Sequence, residues 1–130
     1  MILTRALRGM AVAGMLMVWM TGSSYVWAGD ANAGADVFKS ECSECHSVKQ
    51  GHNKKGPSLF GIVGRAAGSL PDYHYSDALH QAPWTWTADK IHSYLSQPAK
   101  KANPGTKMKY SGLDDPKQLE DLISYLDTFH

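Results

Sequence analysis

The chain of 130 residues is poor in cysteine, and that scarcity narrows its chemistry. Cys42 and Cys45 are its only two. They cannot staple a small secreted scaffold, and a disulfide across so short a gap would be strained. A zinc site would need ligands from scattered histidines, since there is no second cysteine pair. An excess of charge of one sign is lacking too. The chain carries 13 basic and 12 acidic residues, a formal net charge of +1. That balance argues against a nucleic-acid-binding protein. Strand-type alternation, internal repeats and low-complexity tracts are absent. The apolar stretch Met10 to Met20 falls short of the ~20 residues that a membrane-spanning helix needs.

The two cysteines stand in the run Cys42-Ser43-Glu44-Cys45-His46. This Cys-x-x-Cys-His pentapeptide is the attachment signature of a c-type haem. Two thiols can add across the two haem vinyl groups. Their spacing puts both sulfurs on roughly one side of a helical turn, where one flat macrocycle meets both. The adjacent His46 then brings an imidazole to the iron. A dithiol redox site is the competing reading, but such sites sit at a strand-to-helix turn, and no strand pattern precedes Cys42.

The N-terminus reads as a targeting segment. Arg5 and Arg8 form a basic region, Met10 to Met20 an apolar core, and Val26-Trp27-Ala28 a small-x-small cleavage signal. The expectation is a cleaved secretory signal peptide over residues 1–28 and a single domain over 29–130. An uncleaved membrane tether is the alternative. Without Arg5 and Arg8, 11 basic residues face 12 acidic ones. Export implies an oxidising compartment, and together with the haem motif it points to a bacterial periplasm.

The fold class expected is all-α, about four helices around a cofactor. The first helix spans about Ala31 to Ser43, with Asp30 as N-cap. A short one covers Ser76 to Gln81. The third starts after Thr87, carries Ile91, Tyr94 and Leu95 on one face, and ends near Pro98. The last has Asp115 as cap and Pro116 at its first position. Its Leu119, Leu122, Ile123 and Leu126 recur at i, i+3, i+4 and i+7. Between the first two helices, Ser47 to Tyr75 is a long loop rich in glycine and proline. Such a loop is unusual in a compact domain unless it wraps something other than protein.

Beyond residue 28, Met108 is the only methionine. It ends the turn-rich segment Asn103-Pro104-Gly105-Thr106-Lys107-Met108. A thioether is a soft neutral donor, and His/Met ligation raises the reduction potential of haem iron. The remaining candidates for a sixth ligand are His52, His74, His80, His92 and His130, of which the loop residues His52 and His74 are the strongest.

From Gly29 almost to the C-terminus the chain resembles the class I cytochromes c, especially bacterial relatives of the mitochondrial protein. The resemblance rests on Cys42-x-x-Cys45-His46, Gly56-Pro57-Ser58-Leu59, Gly64-Arg65, Tyr73-x-Tyr75-Ser76-x-Ala78, Tyr94-Leu95-x-x-Pro98, Pro104-Gly105-Thr106-Lys107-Met108 and Leu122-Ile123-x-Tyr125-Leu126. It implies one covalently attached haem c, with His46 and Met108 as axial iron ligands. Pro57 resembles the proline whose carbonyl accepts the His46 ring N–H. Tyr75 and Trp86 resemble residues that hydrogen-bond a haem propionate, and Arg65 one that screens its charge. Tyr94 resembles the tyrosine near the Met sulfur, with Thr106 a second polar group there. Gly34, Phe38, Leu122 and Tyr125 resemble the crossing of first and last helices. Three positions depart from the pattern: Leu79 for a polar Asn, Tyr110 for a frequent Phe, and Glu41 where a Lys is common.

The function implied is a monomeric, soluble one-electron carrier and not an enzyme. Its partners would be redox proteins, as in a respiratory chain: a cytochrome bc complex, an oxidase, a reaction centre or a periplasmic dehydrogenase. Lys100, Lys101, Lys107 and Lys109 flank the Met108 segment and offer a basic ring to an acidic partner. The runner-up is a peroxidase or gas-binding sensor whose Met108 dissociates, but no distal acid–base group is evident beyond the loop histidines.

Overall fold

The computed structural model describes residues 28–130, so all of the expected leader except Ala28 lies outside the described residues. Five helices follow in order: α1 Ala31–Glu41, α2 Asp77–His80, α3 Ala88–Leu95, α4 Ala99–Ala102 and α5 Pro116–Leu126. There is no strand among the described residues, only an isolated antiparallel bridge between Ala66 and Thr85.

Side-chain caps start the helices where the sequence places them. The Asp30 carboxylate accepts from the amides of Asn32 and Ala33 at 2.8 and 3.4 Å. Asp115 does the same for Lys117 and Gln118 at 2.8 and 3.3 Å, with Pro116 in the first turn. Ser76 caps α2 and Thr87 caps α3. The ends differ from expectation. α1 stops at Glu41 and not Ser43, and α3 stops at Leu95, short of Pro98. α4 is a helix the sequence reading lacks. It is a single turn after Pro98, with no side-chain cap, too short to show an apolar period.

α1 crosses α5 at Gly34. A Cβ there would stand 1.9 Å from the Asp121 carbonyl oxygen and 2.7 Å from the Tyr125 Cβ, so only glycine permits this approach. One turn on, the Phe38 and Tyr125 rings meet at 5.6 Å. Leu119, Leu122, Ile123 and Leu126 of α5 are almost fully buried and form the centre of the core with Val37, Phe38, Ile62, Ile91 and Leu113. α3 also packs on α5.

Asp121 is the one buried acid of this interface. Its carboxylate accepts from the Asp30 amide at 2.7 Å and from the Lys117 ammonium one turn earlier. Lys117 and then the Asp30 N–H hold its pKa below the ordinary carboxylate range. A buried charge is thus paired and hydrogen-bonded.

The long loop is held by its own backbone. Leu59 N–H donates to Ser47 O at 2.7 Å, and Gly56 N–H to Cys45 O at 2.7 Å. Farther along, Gly64 and Ala67 donate to Trp86 and Trp84, while Trp86 donates to Arg65. These bonds pair part of the backbone of an irregular segment as it curves around a cavity.

Candidate functional site: a cavity between the cysteine turn and the methionine segment

The cavity has a volume of about 500 Å³. Its wall contains Cys42, Cys45, His46, Pro57, Tyr75, Tyr94, Thr106 and Met108. An apolar lobe of about 90 Å³ shares Cys42, His46, Tyr94, Leu95 and Met108 and adds Leu59, Ile62, Trp86, Ile91, Leu122 and Leu126. Nine of the ten residues singled out from the sequence therefore share one space. The tenth, Arg65, lines neither lobe. Its guanidinium donates to the carbonyls of Phe60 and Ser58, both at 2.9 Å, and braces the loop that carries Pro57.

The cysteine turn continues α1. Cys42 caps the helix with its N–H on Phe38 O, and the amides of Cys45 and His46 both return to Cys42 O at 3.1 and 2.9 Å. Both thiols are free and half-buried. Burial, helped by Glu41 and Cys45, pushes the Cys42 thiol up to about 12. A dithiol redox site works the other way, through a stabilised thiolate. Among the described residues no three His, Cys, Asp or Glu side chains are grouped to hold a metal, which removes the zinc reading.

His46 is oriented by the loop. Its Nδ1 lies 2.8 Å from Pro57 O. A carbonyl only accepts, so Nδ1 carries the proton and Nε2 keeps a free lone pair. Burial lowers the His46 pKa, outweighing the Pro57 carbonyl, and keeps the imidazole neutral. A Cβ on Gly56 would fall 2.4 Å from the ring, so this glycine makes room for it.

On the other side, the Met108 amide donates to Thr106 Oγ1 at 3.2 Å, which shapes the turn that brings the thioether to the wall. His52, His74, His80 and His130 are exposed, and no histidine but His46 lines either lobe. Trp86 stacks edge-on against Tyr94 at 5.0 Å and fixes that ring. Tyr75 accepts from the Leu70 amide at 3.4 Å, which leaves its own O–H proton to donate elsewhere.

Ile62 escaped the sequence reading, an ordinary apolar side chain with no motif of its own; Leu59, Ile91 and Leu95 stood in motifs or on a helix face, and only the wrapped loop hints that they share a surface. Tyr73 meets Tyr75 edge-on at 4.9 Å and donates to Lys55 O at 2.8 Å. At the mouth, the departures Tyr110 and Glu41 contact each other, the phenol donating to the carboxylate at 3.2 Å.

The cytochrome c family profile matches residues 31–130. The chain belongs to the cytochrome c family. It is 47% identical over 100 residues to a cytochrome c of Cochliobolus lunatus, covering 76% of this chain and 92% of that one. It is 44% identical over 100 residues to a cytochrome c2 of Rhodopila globiformis, covering 77% and 93%. The fold is shared with cytochrome cH from Methylobacterium extorquens, at a TM-score of 0.70 and 42% identity over 77% of this chain and 99% of that one. Cytochromes c are electron-transfer proteins, not enzymes, and carry covalently attached haem c with its iron. The residues present fit that group: two thiols on one turn, an apolar lobe, a nitrogen donor and a sulfur donor share one cavity.

Proposed function

We propose that this cytochrome c is a soluble periplasmic one-electron carrier in which His46 and Met108 are the axial iron ligands. Cys42 and Cys45 hold the porphyrin through thioethers. The observation that carries this reading is the single cavity whose wall contains His46, Met108 and both half-buried thiols. Bound there, haem c supplies an iron that takes up one electron and gives it back.

The rest is the work of side chains. Pro57 fixes the His46 tautomer and strengthens Nε2 as a donor. Met108 offers a soft neutral sulfur that favours the ferrous state and a positive potential. His46 and Met108 together would hold the iron and keep small ligands off it. Tyr75 and Trp86 would donate to a haem propionate and Arg65 would contribute nearby positive charge, since a buried carboxylate without partners is costly.

Residues 1–28 act as a cleaved leader in this reading, and 29–130 form the exported monomer. Among the described residues no helix is long and apolar enough to cross a membrane. The partners are redox proteins. Lys100, Lys101, Lys107 and Lys109 are all exposed, and Lys107 and Lys109 stand at the cavity, which suits an acidic donor or acceptor.

The test is the visible spectrum of protein exported with haem attached, recorded oxidised, reduced and reduced under carbon monoxide. A low-spin c-type spectrum unmoved by carbon monoxide is expected. A high-spin or carbon-monoxide-sensitive spectrum would overturn the two-ligand reading.

A further inference from the structure

Trp84 and Trp86 flank Thr85, which bridges to Ala66. On extended backbone, residues two apart project to the same side. Their main chain is pinned to the loop. Trp84 O accepts from the Ala67 amide at 2.9 Å, Trp86 N–H donates to Arg65 O at 2.8 Å, and Trp86 O accepts from the Gly64 amide at 2.8 Å. The two indoles meet edge-on, with centroids 5.8 Å apart and planes at 81°. Trp86 lines the apolar lobe and also meets Tyr94 edge-on, so two rings hold it. Trp84 lines neither lobe.

Trp84 is itself held. Lys90 Nζ lies 4.0 Å from the centroid of its ring. Lys90 stands in the first turn of α3, where its amide donates to the Thr87 cap at 3.1 Å. A cation there opposes the helix dipole, and the face of an indole offsets that cost. The Trp84 Nε1 is buried and has no hydrogen-bond partner among the described residues. A buried indole N–H usually finds one, and leaving it unpaired costs about 1–3 kcal/mol. Trp84 therefore serves through its ring and not through its N–H.

We propose that Trp84, clamped by Lys90, is a positioning residue for Trp86: its ring fixes the tilt of the Trp86 indole and so the direction in which Trp86 Nε1–H donates to a haem propionate. Edge-on ring pairs are favourable beyond the area they bury, which selects one tilt over its neighbours. A hydrogen bond weakens steeply as its angle closes. A well-aimed N–H draws negative charge away from the carboxylate. A misaimed one leaves more of that charge facing the iron and favours the ferric state. The inference rests on Trp86 being a propionate donor.

The experiment uses the holoprotein. Redox titration compares Trp84→Leu and Trp84→Phe with the parent, and repeats Trp84→Leu in a Trp86→Phe background. Trp84→Leu should shift the reduction equilibrium about threefold toward ferric, the low end of one hydrogen bond. Trp84→Phe keeps a ring without the N–H and should restore the parent value. In the Trp86→Phe background Trp84→Leu should shift nothing. NMR of the reduced protein follows exchange of the Trp86 Nε1 proton, which should quicken about threefold in Lys90→Gln as the cation–π contact is lost. An equal shift in both backgrounds, no shift in either, a Trp84→Phe shift as large as that of Trp84→Leu, or unchanged exchange in Lys90→Gln would overturn the proposal. The exchange readout decides even where Trp84→Leu fails to fold. Trp86→Phe alone keeps the underlying reading separate: a variant with an unchanged reduction equilibrium would overturn the donor role of Trp86 itself.

Discussion

The Tyr110 hydroxyl donates to Oε2 of Glu41 across 3.2 Å, tying the chain just beyond Met108 to the end of the helix that carries Cys42. The two residues are 69 positions apart. Both stand at the mouth of the cavity, so this one bond links its two walls. Burial first, then Glu41, raises the Tyr110 pKa far above the ordinary phenol value, so the donor keeps its proton throughout the neutral range.

Tyr110→Phe removes that link and leaves the ring. With Met108 as ligand, the methionine segment should open more readily. Added imidazole should then displace the sixth ligand from the ferric protein with an apparent affinity about fivefold tighter, the worth of one hydrogen bond. Spectral titration with imidazole checks this. Identical titration curves for variant and parent would show that the bond does not hold the segment.

Gly34→Ala should destabilise the holoprotein by about 3 kcal/mol or more, at the upper end of overpacking costs. The clash is with the Asp121 backbone oxygen, which cannot rotate away, so α1 and α5 must separate. Urea unfolding followed by far-ultraviolet circular dichroism measures the loss. A variant within about 0.5 kcal/mol of the parent, the range of a neutral surface change, would mean the crossing is looser than drawn.

The crossing itself was legible in the sequence, and so were the caps. Asp30, Thr87 and Asp115 announce helix starts by local chemistry, and the α5 apolar period is complete. That the cysteine turn and Met108 line one cavity was legible because the pentapeptide is a specific signal and Met108 is the only methionine after residue 28. α4 was not, because one turn with no capping side chain leaves no periodic signal. The bonds from the Arg65 guanidinium to the carbonyls of Phe60 and Ser58 were not legible either. Loop-closing hydrogen bonds of this kind depend on the path of the backbone, which no residue pattern specifies.

Asp121→Asn should change the acid response of stability. The carboxylate has a folded pKa below its ordinary value of 3.8, so its stabilisation is complete well above that value and is lost as pH falls through the folded pKa. The parent should therefore lose stability steeply on the acid side. The Asn variant should be less stable at neutral pH and should flatten that part of the profile. Urea midpoints between neutral and strongly acidic pH measure both. Parallel profiles for the two proteins would remove Asp121 from the acid response.

Lys100→Gln with Lys101→Gln tests whether the basic residues around the methionine segment steer partners. The overall charge is close to balanced, so any steering must come from local placement. Both lysines are exposed on α4, free of the hydrogen bonds that hold the core, and their loss should leave folding intact. Glu41 and Glu44 interrupt the positive field near the cysteine turn, and Lys55 already pairs with Glu44 at 2.8 Å. The double variant should thus slow association with an acidic redox partner several-fold at low ionic strength. The difference should fade as salt shortens the screening length to about 10 Å near 0.1 M. Stopped-flow reduction across a salt series reads it out. Rates that ignore both the substitutions and the salt would mean that charge on α4 does not steer partners.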